Sequence, residues 1–396
     1  MRRLSRSTHS WCALWPAILA TIASVAGLAW TPCAQATEQP AKSPRLIDPE
    51  DGWVDASEFL DTAHGFVPLV APITEPAVGY GLVGALVFID RKPLDAAQRF
   101  TRPNIAAVGG LATENGTRGL FGAHLGTWLD GRLRSIAAVA DMDVNLEYFG
   151  LGDSRNPGSG GLAYTVAARG GVVGGNYRLG DTPYWVGLRY ALAQTNVGLH
   201  GSTAGLPGLS ESDLDLRLGA VTPSFTLDAR DNFFTPTRGW YADLSIPVFR
   251  DAFGSDRDFE TATLTGMYYR PLGRSLFLSA RGTAKTSSDG TPFYLRPFVS
   301  LRGVQALSYQ GEQAAETEIE MRWQLHPRFS LIAFAGAGVA RGDGGQSDRQ
   351  ETVTAGGAGF RYLMARKHGL HMGVDVAAGP DEPILYVIFG SAWMRP

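Results

Sequence analysis

Residues 316–325 read Glu-Thr-Glu-Ile-Glu-Met-Arg-Trp-Gln-Leu, and this stretch decides the fold class. Glutamate, arginine or glutamine stands at every second position. In a β-strand successive side chains project to opposite faces, so these polar groups share one face, whereas in a helix they would scatter around the axis. The stretch therefore predicts a strand with one polar face and one largely apolar face.

The same alternation continues along the chain after residue 65 and is interrupted by turns. Sixteen segments of this kind can be counted, and bacterial single-chain barrels have an even number of strands. Besides the opening stretch, the clearest segments are residues 141–148, 213–218 and 370–376.

The first and the longest connections of this pattern carry further information. The first segment, residues 66–72, contains Pro68 and Pro72, which lack the amide hydrogen of a ladder and so predict an edge or a seam. The longest connection, residues 287–313, is the place to seek a functional loop, because long loops in compact domains usually serve a function.

Composition excludes two helical classes of protein. The 396 residues include 49 glycines, and each glycine inside a helix costs about 1 kcal/mol relative to alanine, so a helical bundle is disfavoured. The mean hydropathy of −0.05 argues against repeated apolar membrane helices of about 20 residues. An all-β chain remains.

Alternation alone fits either a soluble sandwich or a membrane barrel. The polar faces carry acids and arginines together, and aromatic residues gather near segment ends, as at Trp240-Tyr241 and Tyr268-Tyr269. Aromatic girdles of this kind mark the two interfaces of an outer-membrane barrel. We therefore predict a transmembrane antiparallel β-barrel of sixteen strands, with apolar faces toward lipid and polar faces toward the lumen.

The first 36 residues predict export. Arg2, Arg3 and Arg6 precede the apolar stretch 11–30, and Ala34-Gln35-Ala36 supplies small residues for cleavage. The alternative is an uncleaved signal anchor, because the apolar stretch is long enough to span a bilayer.

The predicted organisation is a signal peptide at 1–36, a short periplasmic linker at 37–64 and a barrel at 65–396. Both cysteines, Cys12 and Cys33, precede residue 37, so the exported chain has no disulfide. Loss of three arginines with the signal peptide lowers the net charge from −3 to −6, which does not suggest nucleic acid as a partner.

Two motifs resemble a known family. The turn Asp228-Ala229-Arg230-Asp231-Asn232, followed by Pro236-Thr237-Arg238-Gly239, is similar to the D-x-R-D-N…P-x-x-G turn of the bacterial surface antigen superfamily of BamA/TamA type. Leu301-Arg302-Gly303-Val304 resembles the [VL]-R-G-[FY] loop of that superfamily, and Glu320-Met321-Arg322 resembles its E-x-R strand. The chain is identified as a short member that lacks the periplasmic transport-associated domains.

The resemblance implies that the loop with Arg302 and Gly303 folds into the lumen and locks onto the wall. In larger relatives this arginine pairs with the aspartate of an F-x-D strand, but here Phe334-Ala335-Gly336 has glycine at that position. A buried arginine without a carboxylate is costly. We therefore expect Glu318 and Glu320 to be its partners, with Asp375 the next candidate.

The resemblance also implies a non-enzymatic role in envelope biogenesis or client translocation in the bacterial outer membrane. The expected partners are outer-membrane lipid and a protein or lipid client, with a monomeric barrel and no nucleic acid. Two alternatives stay open: a passive porin-like channel with an acidic lumen, and an outer-membrane lipid hydrolase or protease. No G-x-S-x-G motif occurs, and we predict no catalytic, metal or cofactor site.

Overall fold

The computed structural model describes residues 46–90, 103–148, 162–200, 214–343 and 348–394. The predicted signal peptide lies outside the described residues. The described residues form one sheet of 17 strands and one short α-helix, α1, Ser57–Thr62. The strands are β1 Gly65–Ile73, β2 Gly81–Asp90, β3 Asn104–Thr113, β4 Arg118–Trp128, β5 Leu133–Tyr148, β6 Leu162–Arg178, β7 Tyr184–His200, β8 Asp215–Asp228, β9 Gly239–Ser245, β10 Val248–Phe249, β11 Phe259–Pro271, β12 Leu276–Ser287, β13 Gln313–His326, β14 Phe329–Asp343, β15 Asp348–Ala365, β16 Leu370–Ala378 and β17 Ile384–Phe389. Within these described ranges, single 3₁₀ turns occur at Asp251–Phe253, Phe293–Leu295 and Arg366–His368.

The strands occupy sixteen positions in the wall. β9 and β10 both pair with β8 on one side and with β11 on the other, so they are two parts of one position. The break between them falls at Ile246 and Pro247, where proline removes a ladder donor. All pairings are antiparallel. The predicted all-β antiparallel fold is therefore confirmed, with a wall of sixteen positions.

The barrel has two ends, which we name by what lies there. The strap is residues 46–64, and the end of the barrel where it lies and where β1 begins is the strap end. The opposite end is the loop end, and it carries residues 288–312, which we call the inner loop. Among the described residues no helix is long and apolar enough to cross a membrane.

The first and last strands of the described wall each pair with one neighbour. β1 pairs with β2 from Gly65 opposite Ile89 to Ile73 opposite Gly81. Across the described ranges, no ladder joins β1 to β17. Pro68 and Pro72 both lie in β1. The edge of β1 is therefore a place where backbone groups are not committed to a neighbouring strand in a continuous ladder.

Burial in β13 is the reverse of that in a soluble protein. Ile319 and Trp323 are each 53 % exposed, whereas Glu318, the neighbour of Ile319, is 1 % exposed. Outer-membrane barrels place apolar side chains toward the lipid and polar side chains toward the interior. Val374 and Asp375 repeat the arrangement in β16. These strands confirm the predicted orientation of their two faces.

The predicted orientation is wrong at the loop end of β5 and β8. Val144 and Leu218 point inward and are buried, while Asp141 and Asp215 are exposed outside. The inward side chains pack against the inner loop. Charged residues on a lipid-facing wall are costly, so this part of the wall stands clear of the hydrocarbon.

The aromatic pairs at strand ends divide between the two sides of the wall. Trp240 is 57 % exposed, whereas its neighbour Tyr241 is buried inside. The last strand ends at Phe389, because Gly390 adopts a φ of +74° and the chain turns away from the sheet. Trp393 is consequently buried inside the barrel and does not belong to a girdle.

Candidate functional site in the lumen

The inner loop folds into the lumen and contacts opposite parts of the wall. On one side, Phe293 packs edge-on against Tyr148 of β5 and Tyr164 of β6, with ring centroids 5.1 and 5.3 Å apart. The hydroxyl of Tyr294 lies 2.7 Å from that of Thr195 in β7. Buried aromatic rings and the hydrogen bond of the Tyr294 hydroxyl hold this half of the loop in place.

The other side of the loop fits against a wall lined with glycine. Val299, Leu301 and Val304 form a buried cluster with residues of β13, β14 and β15. A Cβ atom added at Gly338 would lie 2.3 Å from Val299 Cγ1, and one at Gly336 would lie 2.9 Å from Leu301 Cδ2. The glycine at the position of the family aspartate therefore makes room for the loop.

Arg302 lies at the centre of a buried cluster of charges. Its Nη2 is 2.6 Å from Glu318 Oε1 and 2.7 Å from Glu320 Oε2, and its Nη1 is 2.7 Å from Asp375 Oδ2. The guanidinium also lies over the ring of Phe334, 3.6 Å from its centroid. The structure thus brings all three expected carboxylates to Arg302.

A second arginine, Arg361 of β15, completes the charge balance at Asp375. Its Nη1 and Nη2 lie 2.5 and 2.8 Å from the two oxygens of Asp375. A buried carboxylate is tolerated when each oxygen is paired and hydrogen-bonded. Asp375 on β16 therefore provides Arg302 with a carboxylate, whereas Gly336 on β14 has none to offer.

Gly303 is a position that only glycine fills easily. Its φ is +90°, and a Cβ atom there would meet the backbone of Ala378 at 3.1 Å. Its amide donates to the hydroxyl oxygen of Tyr386 in β17 at 3.1 Å. The tip of the inner loop is thereby tied to the last strand as well as to β13 and β16.

The C-terminal segment reaches the same cluster, which the sequence did not reveal. Trp393 Nε1 donates to Glu318 Oε1 at 2.6 Å, and the ring packs with Tyr241, Met267 and Tyr269. The signal for this inward turn is the small-residue run Gly390-Ser391-Ala392 directly after the strand. Sequence reasoning missed Trp393 and Arg361 as members of this charge cluster.

The turn motif between β8 and β9 folds on its own side chains. Arg230 Nε and Nη2 donate to the two oxygens of Asp228 at 2.7 and 2.9 Å, and the guanidinium lies 4.5 Å from the ring centroid of Tyr241. Asp231 accepts from the amides of Thr237 and Arg238. The acidic and basic residues of the motif therefore stabilise the turn itself.

The same turn crosses the strap end of the lumen. Asn232 Nδ2 donates to the carbonyl of His368 between β15 and β16, and the carbonyl of Phe234 accepts from the amide of Ser391. Pro236 is buried, and Gly239 has a φ of +114° with the carbonyl of Ala229 in the place of a side chain. The turn motif therefore covers the lumen at the strap end, and the inner loop fills the lumen from the loop end.

The strap carries a second charge cluster, centred on Arg328 between β13 and β14. Its guanidinium has no exposed surface and lies 2.6 Å from carboxylate oxygens of Asp48, Asp51 and Asp55. Hydrogen bonds from Arg328 hold the pKa of the Asp51 carboxyl well below its usual range. Burial opposes ionisation of Asp55, but hydrogen bonds from Ser57 and Arg328 outweigh it and lower the pKa of that carboxyl.

The turn between β15 and β16 adds further ion pairs to the strap. Arg366 pairs with Glu50 and Asp51, and Lys367 Nζ lies 2.5 Å from Asp61 Oδ2. Trp53 packs edge-on against Phe329, with ring centroids 5.0 Å apart. The strap thus joins the start of β1 to the turns of β13 to β16.

No group of three side chains able to hold a metal ion occurs in the part of the chain that the structure describes. The prominent clusters are ion-pair networks in which carboxylates already face arginines. Their chemistry is that of fixing one segment to another.

Comparison with known proteins gives a family match over part of the chain. Residues 209–377 match the Omp85 superfamily domain, and the matched segment includes the β8–β9 turn, the inner loop and the carboxylates around Arg302. This chain contains an Omp85 superfamily domain. The predicted resemblance of this chain to that superfamily is confirmed, and the Omp85 barrel belongs to the bacterial outer membrane.

Solved structures show the same fold. BamA from Haemophilus ducreyi lacking POTRA domains 1–3 is similar at a TM-score of 0.54 and 10 % identity, over 83 % of this chain and 69 % of that one. CdiB from Escherichia coli is similar at a TM-score of 0.52 and 15 % identity, over 81 % of this chain and 61 % of that one. No curated protein matches the sequence. At these identities the likeness concerns the barrel fold alone.

Proposed function

We propose that this Omp85 barrel assembles or translocates a protein or lipid client in the bacterial outer membrane, without catalysing a reaction. The observation that carries the proposal is the cluster around Arg302, which ties the inner loop to β13, β16 and the C-terminal segment. We further propose that residues 1–36 are a signal peptide, that 37–64 link it to the barrel, and that 65–396 are the barrel, which acts as a monomer.

The mechanism follows from the difference between the locked wall and the junction of β1 with β17. An unpaired strand edge presents amide and carbonyl groups to which another strand can add. The contacts of Arg302 and Gly303 hold β16 and β17 in place beside that junction. Under this proposal, Arg302, Gly303, Glu318 and Glu320 are a lock that keeps the last strands in register while the edge of β1 receives the client.

A passive porin fits the interior less well. The inner loop, the β8–β9 turn and Trp393 all project into the lumen, and their contacts are buried. A plugged barrel should show small and infrequent conductance steps in a planar bilayer. A large and steady open conductance for the wild-type barrel would instead support the porin alternative.

The role is tested by removing the gene and restoring it with variants. Arg302→Ala leaves three buried carboxylates without this cation, which costs about 3–5 kcal/mol in a deep site. We expect Arg302→Lys to restore outer-membrane protein and lipid composition in part and Arg302→Ala to fail. Arg118→Ala is the control, because Arg118 pairs with Asp143 on an exposed surface.

Two readings separate folding from function. Heat-modifiable migration of each variant on a gel reports whether the barrel has formed. Quantitative proteomics and lipid analysis of the outer membrane report the client. If loss of the protein leaves both compositions unchanged, the proposed function is wrong, whatever the stability of the Arg302 variants.

A further inference from the structure

Two arginines lie side by side on the outer surface at the strap end. Tyr268 of β11 stands opposite Trp240 of β9, and Tyr269 stands opposite Gly239. Continuing that register by one residue sets Arg270 beside Arg238, and both line one open cavity of about 480 Å³ with Trp240 and Tyr268. Both arginines are exposed.

Neither arginine has a carboxylate partner in the described part of the chain. Other arginines at the same end do, since Arg132 lies 3.2 Å from Asp181. Like charges directly opposite each other on two strands are destabilising. An anion shared by the two guanidinium groups would remove this repulsion, and guanidinium forks match phosphate oxygens well.

Beyond the arginines, the exposed side chains change from aromatic to aliphatic along the strands, in the order of the interface and the hydrocarbon of a lipid layer. Trp240 and Tyr268 lie next, with ring centroids 4.2 Å apart, as expected at the boundary between headgroups and hydrocarbon. Leu244 and Leu264 form an exposed apolar pair farther toward the middle of the same two strands. Headgroup, interface and acyl chain would each meet side chains of matching chemistry.

A shallow groove connects these levels. Between the aromatic pair and the leucine pair, Ala242 stands opposite Gly266. A Cβ atom at Gly266 would find no other heavy atom within 4 Å, so the wall is open there. An acyl chain could lie in this trough between larger neighbours on either side.

We propose that Arg238, Arg270, Trp240 and Tyr268 form a binding site for a phospholipid, with its phosphate between the two guanidinium groups and one acyl chain over Gly266. The site lies outside the lumen and is independent of the proposed client role. It would fix the depth and rotation of the barrel in one leaflet. The site shares no residue with the charge cluster around Arg302 or with the strap cluster around Arg328.

The test is native mass spectrometry of the purified, folded full chain in detergent, titrated with phosphatidylglycerol. Near a membrane surface each arginine is worth roughly 1 kcal/mol, or about fivefold in affinity, so Arg238→Gln with Arg270→Gln should weaken binding about 25-fold. The double lysine variant should retain most of the affinity. Arg132→Gln is the matched control and should bind like the wild type.

Two further probes distinguish lipid from free phosphate. Diacylglycerol of the same chain length lacks the phosphate and should not bind tightly. Gly266→Leu fills the groove and should weaken phosphatidylglycerol binding while heat-modifiable migration stays normal. The proposal is overturned if the double glutamine variant binds phosphatidylglycerol like the wild type, or if inorganic phosphate displaces the lipid completely.

Discussion

Replacement of Arg328 by methionine should release the strap from the barrel. Methionine has a similar length but no charge, so Asp48, Asp51 and Asp55 would be left facing one another. Breaking a deeply buried ion pair costs about 3–5 kcal/mol. This cluster lies at the rim of the barrel, where water screens the carboxylates, so we expect a smaller loss of about 2 kcal/mol.

The loss can be read as local opening. Glu50 and Glu58 are cleavage sites for a glutamate-specific protease within the strap, and cleavage tracks the open population when reclosing is fast. A loss of about 2 kcal/mol should raise the cleavage rate about 30-fold. Lys367→Gln is the control, because that side chain is 65 % exposed and its ion pair with Asp61 is worth at most about 1 kcal/mol.

Acid should act in the same direction as the substitution. Hydrogen bonds from Arg328 lower the folded-state pKa of Asp51, and hydrogen bonds from Ser57 and Arg328 lower that of Asp55. The contribution of the two carboxylates is therefore present above the ordinary aspartate pKa and is lost as pH falls through the lowered values. Wild-type cleavage should therefore stay slow at neutral pH and accelerate only under strongly acidic conditions. A cleavage rate for Arg328→Met within twofold of wild type at neutral pH would refute this account of the strap.

Three other substitutions test individual contacts. Gly338→Ala should destabilise the barrel by about 1–3 kcal/mol in denaturant titration, because the new methyl group overlaps Val299, whereas Gly282→Ala, with its nearest atom at 4.0 Å, should be neutral. Trp393→Phe should cost about 1.5 kcal/mol by removing the charge-assisted hydrogen bond to Glu318, and an unchanged unfolding midpoint would contradict that role. Burial raises the pKa of the Glu75 carboxyl, which accepts a hydrogen bond from the amide of Ala306, so the stability of the wild type should fall as pH rises through that pKa. Glu75→Gln should flatten this pH dependence of stability. Parallel pH curves for the two proteins would contradict the prediction.

The strands could be predicted because alternation is a local property. Residues 316–325 show two unlike faces without any knowledge of their neighbours, and the sixteen wall positions follow from repeated use of that pattern. Alternation does not say which face meets the lumen. At Val144 and Leu218 the answer depends on Phe293 and its neighbours in the inner loop, which are distant in sequence.

The surroundings of Arg302 were predictable only in part. Its expected carboxylates Glu318, Glu320 and Asp375 stand on strands whose polar faces can be recognised in the sequence. Trp393 was not predictable in the same way, because its place depends on one backbone turn at Gly390. The sequence predicts only an irregular linker at the strap, because Arg328, the ion-pair partner of its aspartates, is far away in sequence.

The position of Arg302 also bears on how this barrel is built. Its guanidinium joins Glu318 on β13 to Asp375 on β16, and the aromatic residues Phe293 and Tyr294 of the same loop are buried against β5 to β7. A wall that closed first would leave three carboxylates around an empty centre and would have to readmit bulky rings. Docking of the inner loop and placement of β16 are therefore coupled, because the buried charges of each are balanced only when the other is in place.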